Sequence, residues 1–466
     1  MRQRLLSFEF VEYLGLDRVL LRSIGDLAFP VVLANLLQAT VGIVDIWMVS
    51  RLGTQATAAV GMSRQLVIVV IISTAGVGIG TRTMVAQFTG AGRQDMVSRV
   101  VAQSIVVMLL LSALVCTLGV LFGPALLELV GADAEITALG TPYIRLFFAL
   151  CIVMIFNFMF NAILQGAGDM RTPLAIMAFI NVIHLFFNYV FIYGMGPFPE
   201  LGVTGAALGT MTARFVGAML GLGVLFSGRF AVKLAWGTSF RPDWDLIRRL
   251  LRIGVPVAIQ NTVRTLANLG FLWVVTNSAA AGVGRQANVA AYSVGLQSEA
   301  FSFMPAMALS IVATTLVGQA QGAGDSREAE RRGWTTGLIG AGAMSAVGVV
   351  LFAFAPQIIA MFNEAADPLV AEAGIAYLRI NAIVEPFLAL SLVMRGALDG
   401  AGDTKPPLYY TIIAQWLVRL PLSYVLVIAL GGGVTGAWYA LALSTVIQGV
   451  LTACRFRSNK WKMIEV

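Results

Sequence analysis

The sequence predicts an all-α polytopic membrane protein, with twelve transmembrane helices built as two repeated six-helix halves. Three observations carry this. Of its 466 residues, 58% are hydrophobic and 12% charged, against roughly 45–50% and about 25% in soluble domains; mean hydropathy is +0.84. Apolar windows of about 20 residues, enough to cross a bilayer, recur along the whole chain. Loops at corresponding places in the two halves repeat each other.

The windows lie near 27–49, 57–82, 99–122, 138–163, 173–195, 202–227, 253–276, 289–315, 334–356, 374–397, 407–429 and 434–454. Arg2, Arg4, Arg18 and Arg22 precede the first. That window lacks a small-residue cleavage site and is too long for a signal peptide, so it reads as a retained span. Cys116 and Cys151 fall in apolar segments and Cys454 at the end of the last one. No C-x-x-C pair is present, so neither a disulfide framework nor a zinc site is expected. The net charge of +7 is spread over loops instead of forming one patch, so no nucleic-acid partner is expected.

Loop charges set the orientation. Arg93, Arg99, Arg171, the stretch Arg229 to Arg252, Arg327 to Arg332, Lys405 and the tail residues Arg455, Arg457, Lys460 and Lys462 all fall on one side. The opposite loops "GPALLELVGADAEI", "GMGPFPELG" and "FNEAADPLVAEAG" contain no Lys or Arg. The positive-inside rule then puts both termini in the cytoplasm.

The internal repeat sets the organisation. "VAQFTGAGRQD" (85–95) returns as "VGQAQGAGDSR" (317–327), "LQGAGDMRTPL" (164–174) as "LDGAGDTKPPL" (398–408), and "LGVTGAALG" (201–209) as "GGVTGAWYA" (432–440). Tyr143 and Arg145 are matched by Tyr377 and Arg379, and Gln65 by Gln297. An even number of spans per half makes the repeats parallel, related by an axis along the membrane normal. The expected domains are an N-terminal lobe over 1–228, a cytoplasmic linker over 229–252, a C-terminal lobe over 253–455 and a cytoplasmic tail over 456–466.

At these residues the sequence resembles the multidrug and toxic compound extrusion (MATE) family of the MOP flippase superfamily, and its DinF-like branch more than its NorM-like branch. The resemblance covers essentially the whole chain. It rests on the paired "GAGD…P" loops, "GIVDIWMVSRLG", "NYVFIYG…LGVTGAA" and "WLVRLPLSYVL…GVTGAW". It implies two six-helix lobes around a central cavity and secondary active efflux, substrate leaving as H⁺ or Na⁺ enters.

Polar stripes inside the apolar windows argue independently. Asn35, Gln38, Gly42 and Asp45 share one face of the first span; Asn181, His184 and Asn188 share one of the fifth. Asn261, Arg264 and Asn268 do so in the seventh, and Gln415, Arg419 and Ser423 in the eleventh. Lipid would leave such faces unpaired, so they look at one another or at water. Counting residues at 1.5 Å rise puts Asp45 and Asn188 at one depth, roughly 22–26 Å from the cytoplasmic end, with His184 a turn below. A carboxylate in the hydrocarbon zone costs about 2.5–3.5 kcal/mol on insertion scales, and proton relays in transporters use such acids and histidines. Asp45 also matches the first-span aspartate that the resemblance implicates in cation coupling. Some archaeal members carry a second acid in the fifth span, where this chain has Asn188; one acid favours protonation over Na⁺.

The expected coupling group is therefore Asp45, His184, Asn188, Gln38 and Asn181. Candidate cavity residues are Asn35, Asn157, Gln65, Asn261, Arg264, Gln297, Glu299 and Glu385. Each has a structural reading beside the functional one. Asp45 could be an interfacial acid paired with a neighbouring helix, the lone His184 a packing residue, and the asparagines interhelical hydrogen bonds. Arg145 and Arg379 are expected near the outer interface. Arg264 stands where NorM-like members place an acid, and is expected to pair with Glu385 or Glu299. Pro30 and Pro256 occupy matching places in the first and seventh spans, and Pro305, Pro386 and Pro421 lie inside others; each is a candidate bend.

The expected function is export of amphipathic, cationic compounds by an inner-membrane antiporter. Asp45 takes a proton from outside, its hydrogen bonds rearrange, and the first span shifts. No cofactor is expected beyond the coupling ion, H⁺ or else Na⁺, and the partners are small drugs and the lipid bilayer around a monomer. The alternatives are a lipid-linked precursor flippase and a membrane enzyme or receptor. The chain shows no HExxH, no clustered metal ligands, no GxSxG and no nucleotide-binding loop.

Overall fold

The computed structural model describes residues 17–129, 131–228, 231–234, 237–278, 283–362 and 367–464. Arg2, Arg4, Arg229 and part of the loop "FNEAADPLVAEAG" lie outside the described residues. All described elements are helical, and every expected window falls on helix. The first six spans are Arg18–Ser50, Thr54–Gly90, Gln94–Leu129, the pair Ala134–Ala149 and Cys151–Gly166, Arg171–Tyr193, and Gly202–Ser227. The second six are Trp244–Thr276, Val283–Gly322, Ser326–Ala353, Pro368–Gly400, Lys405–Ala429 and Gly433–Arg457. Among the described residues nine helices are long and apolar enough to cross a membrane, ten when the bent fourth pair counts as one crossing. Their outward faces carry Leu110, Leu121, Phe122, Val182, Phe186 and Leu417, all exposed, as lipid-facing surfaces require.

Two spans depart from simple helices. The fourth bends by 51° at Leu150. The third span stitches the break: Cys116 Sγ donates to the carbonyl of Ala149 and Cys151 Sγ to that of Ser112, each at 3.7 Å. The nearest proline, Pro142, lies two turns upstream, which is why the apolar window reads as continuous. In the eleventh span Ile412–Arg419 and Val425–Ala429 are wound as π-helix. Pro421 has no N–H to continue the i→i−4 ladder, and Leu420 N–H reaches back five residues to Gln415 O. The wide turns carry Gln415 and Arg419, both buried.

The repeat holds at the level of individual hydrogen bonds. Four loops close in the same way, with Gly92, Gly168, Gly324 and Gly402 at φ between 70° and 91°. In each the next residue's N–H returns to a carbonyl five back: Arg93 to Phe88, Asp169 to Leu164, Asp325 to Ala320 and Asp403 to Leu398. This is a left-handed helix cap that glycine enters without a Cβ penalty. The acids then diverge. Asp169 caps the fifth span through Thr172 N–H (2.9 Å), whereas Asp403 accepts from Arg455 Nε (2.7 Å).

Packing divides the chain into two compact units, Phe29–Ala258 and Met1–Ala28 with Ile259–Val466. The lobes read from the sequence are bounded by loops. The units are bounded by contacts, which assign the N-terminal ends of the first and seventh helices each to the unit built by the other half. Both divisions fall beside a proline, Pro30 and Pro256. In the unit Phe29–Ala258, Gly76 and Gly254 bring the backbones of the second and seventh helices together: a Cβ on Gly254 would stand 2.8 Å from Gly76 O, and one on Gly80 2.8 Å from Leu250 O. In the other unit, Leu20 and Ile24 pack with Leu309, Val312 and Leu316 of the eighth helix. The segment expected as a tail ends in one 3₁₀ turn, Lys460–Met463, whose Trp461 is buried against Phe456 (ring centroids 4.9 Å) and donates Nε1 to Phe456 O.

Candidate functional site

The fifth and sixth helices approach closely because the sixth offers glycines to the fifth. Gly205 lies against the Phe191 carbonyl, Gly209 against the Asn188 amide and Gly217 against Ile180. Small residues at such spacing let helix backbones come together in lipid. That approach buries Asn188 and His184 and aims both at the first span. Asn188 Nδ2 donates to Asp45 Oδ1 (2.9 Å) and lies 3.0 Å from His184 Nε2. His184 Nε2 is 3.5 Å from Asp45 Oδ1 and 3.0 Å from Thr210 Oγ1. Thr210 spends its own proton on Ala206 O (2.9 Å). The Asn188 amide nitrogen thus stands between the acid and the imidazole.

Two arginines that the sequence reading left out complete this site. Arg64 of the second span and Arg214 of the sixth act electrostatically on Asp45. The Arg64 guanidinium lies over Gly42, where a Cβ would stand 2.8 Å from it. Arg214 Nη2 reaches Gln38 Oε1 at 3.5 Å, so Gln38 joins the group through Arg214. Tyr143 is buried and lies within the field of Asp45 and Arg64. The Asp45 side chain keeps a quarter of its surface exposed, against 7% for His184.

Other expected residues go elsewhere. Asn181 Nδ2 is buried with no hydrogen-bond partner among the described residues. Asn157 Nδ2 donates to Val153 O (2.8 Å) and Arg214 O (2.9 Å), an interhelical bond holding the sixth span to the fourth. Asn35 is half-buried, Gln65 and Gln297 are exposed, and Arg145 and Arg379 are exposed, with Arg379 over Phe352 at 5.6 Å.

The unit that includes Ile259–Val466 holds a second polar cluster. Glu299 Oε2 accepts from Tyr377 Oη (2.9 Å), and Glu385 Oε1 from Ser302 Oγ (3.0 Å). Tyr377, Tyr292, Trp438 and Phe271 close around it with ring centroids 4.8–6.3 Å apart. The expected pairing of Arg264 with Glu385 or Glu299 is not formed: among the described residues neither acid makes an ion pair with it. The charged groups acting on Arg264 are Arg395 and Arg419. Residue counting sets the depth of a group but not its direction around the helix, and the hydroxyls of Tyr377 and Ser302 occupy the carboxylates instead.

The family model MatE matches residues 30–190 and 262–425. The chain is 30% identical over 458 residues to a protein of Thermotoga maritima named probable multidrug resistance protein NorM, covering 97% of this chain and 96% of that one. It is 27% identical over 445 residues to a protein of the same name from Mesorhizobium japonicum, covering 94% and 93%. A solved MATE structure in a bent conformation superposes with a TM-score of 0.87 at 22% identity, covering 96% of this chain and 97% of that one. A multidrug resistance MATE family transporter of the MOP superfamily, solved facing outward, gives 0.85 at 22% over the same shares. At that identity the solved structures speak for the fold alone.

Proposed function

The chain belongs to the MatE family of multi-pass membrane transporters, and from that membership we propose that it is a secondary active multidrug antiporter. It exports amphipathic organic compounds, cations among them, in exchange for protons. Its place is the inner membrane, with both termini cytoplasmic and a single chain as the working unit. Arg264, standing where the resemblance puts an acid in NorM-like members, supports a DinF-like chain.

One observation carries the coupling: among the described residues Asp45 is the only carboxylate bonded to Asn188, whose amide nitrogen also lies 3.0 Å from His184 Nε2. Proton is favoured over Na⁺ by the groups present. A sodium site needs several oxygen ligands, and here Asn188 turns its nitrogen, not its oxygen, toward Asp45.

Exchange follows from charge. Ionised Asp45 offsets part of the guanidinium charges of Arg64 and Arg214 and lets a cationic compound approach. Protonated Asp45 leaves both uncompensated, and the compound is repelled. A neutral carboxyl also accepts more weakly from Asn188, so the bridge between the first and fifth helices loosens as the proton arrives. The test is export of a cationic amphipathic dye from proteoliposomes. An imposed proton gradient is expected to drive it and a Na⁺ gradient alone is not. Export driven by Na⁺ alone would replace the ion, and export under neither gradient would overturn the antiport reading.

A further inference from the structure

Arg264 has no ion-pair or hydrogen-bond partner among the described residues, although its helix is a membrane span and its neighbours are cations. Arg395 Nη2 points to Asn261 Oδ1 (3.4 Å) and Arg419 Nη1 to Asn268 Oδ1 (3.3 Å). Asn261, Arg264 and Asn268 lie on one face of the seventh helix. The tenth and eleventh helices therefore bring guanidinium groups to either side of Arg264. The other two are offset. Arg395 Nε lies 3.6 Å from Asp399 Oδ2. Arg419 donates Nε to Ser444 Oγ (2.9 Å), sits over the Phe271 ring at 5.9 Å and acts on Glu299. A third guanidinium held beside these two, without a counter-ion, costs free energy that folding alone does not repay.

We infer that Arg264, flanked by Arg395 and Arg419, is the receptor for an anionic group, a carboxylate or phosphate, on an amphipathic ligand. A guanidinium fork matches both anions in two-point contacts. This deepens the efflux reading above by naming a substrate class, and rests on it.

The test uses three dansyl-undecyl probes, a carboxylate, its methyl ester and a trimethylammonium, binding to the purified full chain in phosphatidylcholine nanodiscs. The carboxylate is expected to bind wild type about tenfold or more tighter than the ester, the gain of one charge-assisted contact. Arg264→Gln should remove that preference, and Arg264→Lys should keep part of it. Equal binding of carboxylate and ester to wild type would overturn the inference with no variant needed, as would an unchanged preference in Arg264→Gln protein that still binds the trimethylammonium probe. Repeating the titration with phosphatidylglycerol in the disc identifies the source of the anion. Competition by that lipid assigns the site to a phosphate headgroup, and its absence to a soluble amphiphile. Wild-type proteoliposomes that fail to export the trimethylammonium probe would count against the efflux reading and leave the anion site standing.

Discussion

Asp45→Asn protein in proteoliposomes exports no cationic dye above the protein-free background when a proton gradient is imposed. Asparagine keeps the shape of the side chain and an oxygen to accept from Asn188 Nδ2, which stands 2.9 Å from Asp45 Oδ1. The fold should therefore survive, and thermal unfolding in detergent should match wild type within the small range of an isosteric change. What is lost is the ability to bind and release a proton. The variant is fixed in the neutral state, with Arg64 and Arg214 uncompensated, so it should also bind the cationic dye more weakly. Asn188→Ala gives a contrasting result. It removes the amide between Asp45 and His184 but keeps the carboxylate, so export slows without stopping. Full export by Asp45→Asn protein would make the acid a structural residue.

Gly209→Val is expected to be as damaging without touching a charge. A Cβ at Gly209 falls inside the Asn188 side-chain amide, and valine adds two methyl groups there. The fifth helix must then move away from the sixth, or Asn188 must turn away from Asp45. Overpacking of this kind costs about 1–3 kcal/mol, visible as a lower unfolding temperature, and the displaced amide removes the coupling bridge. Gly223 of the same helix has open space where a Cβ would go. Gly223→Ala should leave both stability and export unchanged, and equal losses from the two substitutions would contradict the packing argument.

Much of this architecture was legible because it rests on composition and period. The twelve windows fall on helices, and the repeated Gly-x-Gly loops close with the same hydrogen bond four times, because a left-handed cap demands glycine at a fixed place. Asp45 and Asn188 could be set at one depth, with His184 a turn below, by counting residues along two parallel helices. Direction around a helix could not be counted. Arg264 at the depth of Glu299 and Glu385 implied an ion pair, yet it faces Arg395 and Arg419. Arg64, Thr210 and Arg214 escaped notice although the rule applied to Asp45, that a charge inside a span needs a reason, applies equally to the two arginines. The break at Leu150 left no mark in the sequence, because what stabilises it is a pair of thiols, one of them on another helix. Asn157 illustrates the commoner outcome for a buried amide, a bond between helices.

The central claim is that one carboxylate holds the coupling proton and gives it up to substrate. Two ligands that exclude each other must displace each other, since their coupling is reciprocal. Purified protein in weakly buffered detergent, mixed with a cationic substrate, should therefore acidify the solution as Asp45 releases its proton. Measured with a pH-sensitive dye near neutral pH, the account predicts proton release from wild type and none from Asp45→Asn protein. Equal release from both would show that another group carries the proton.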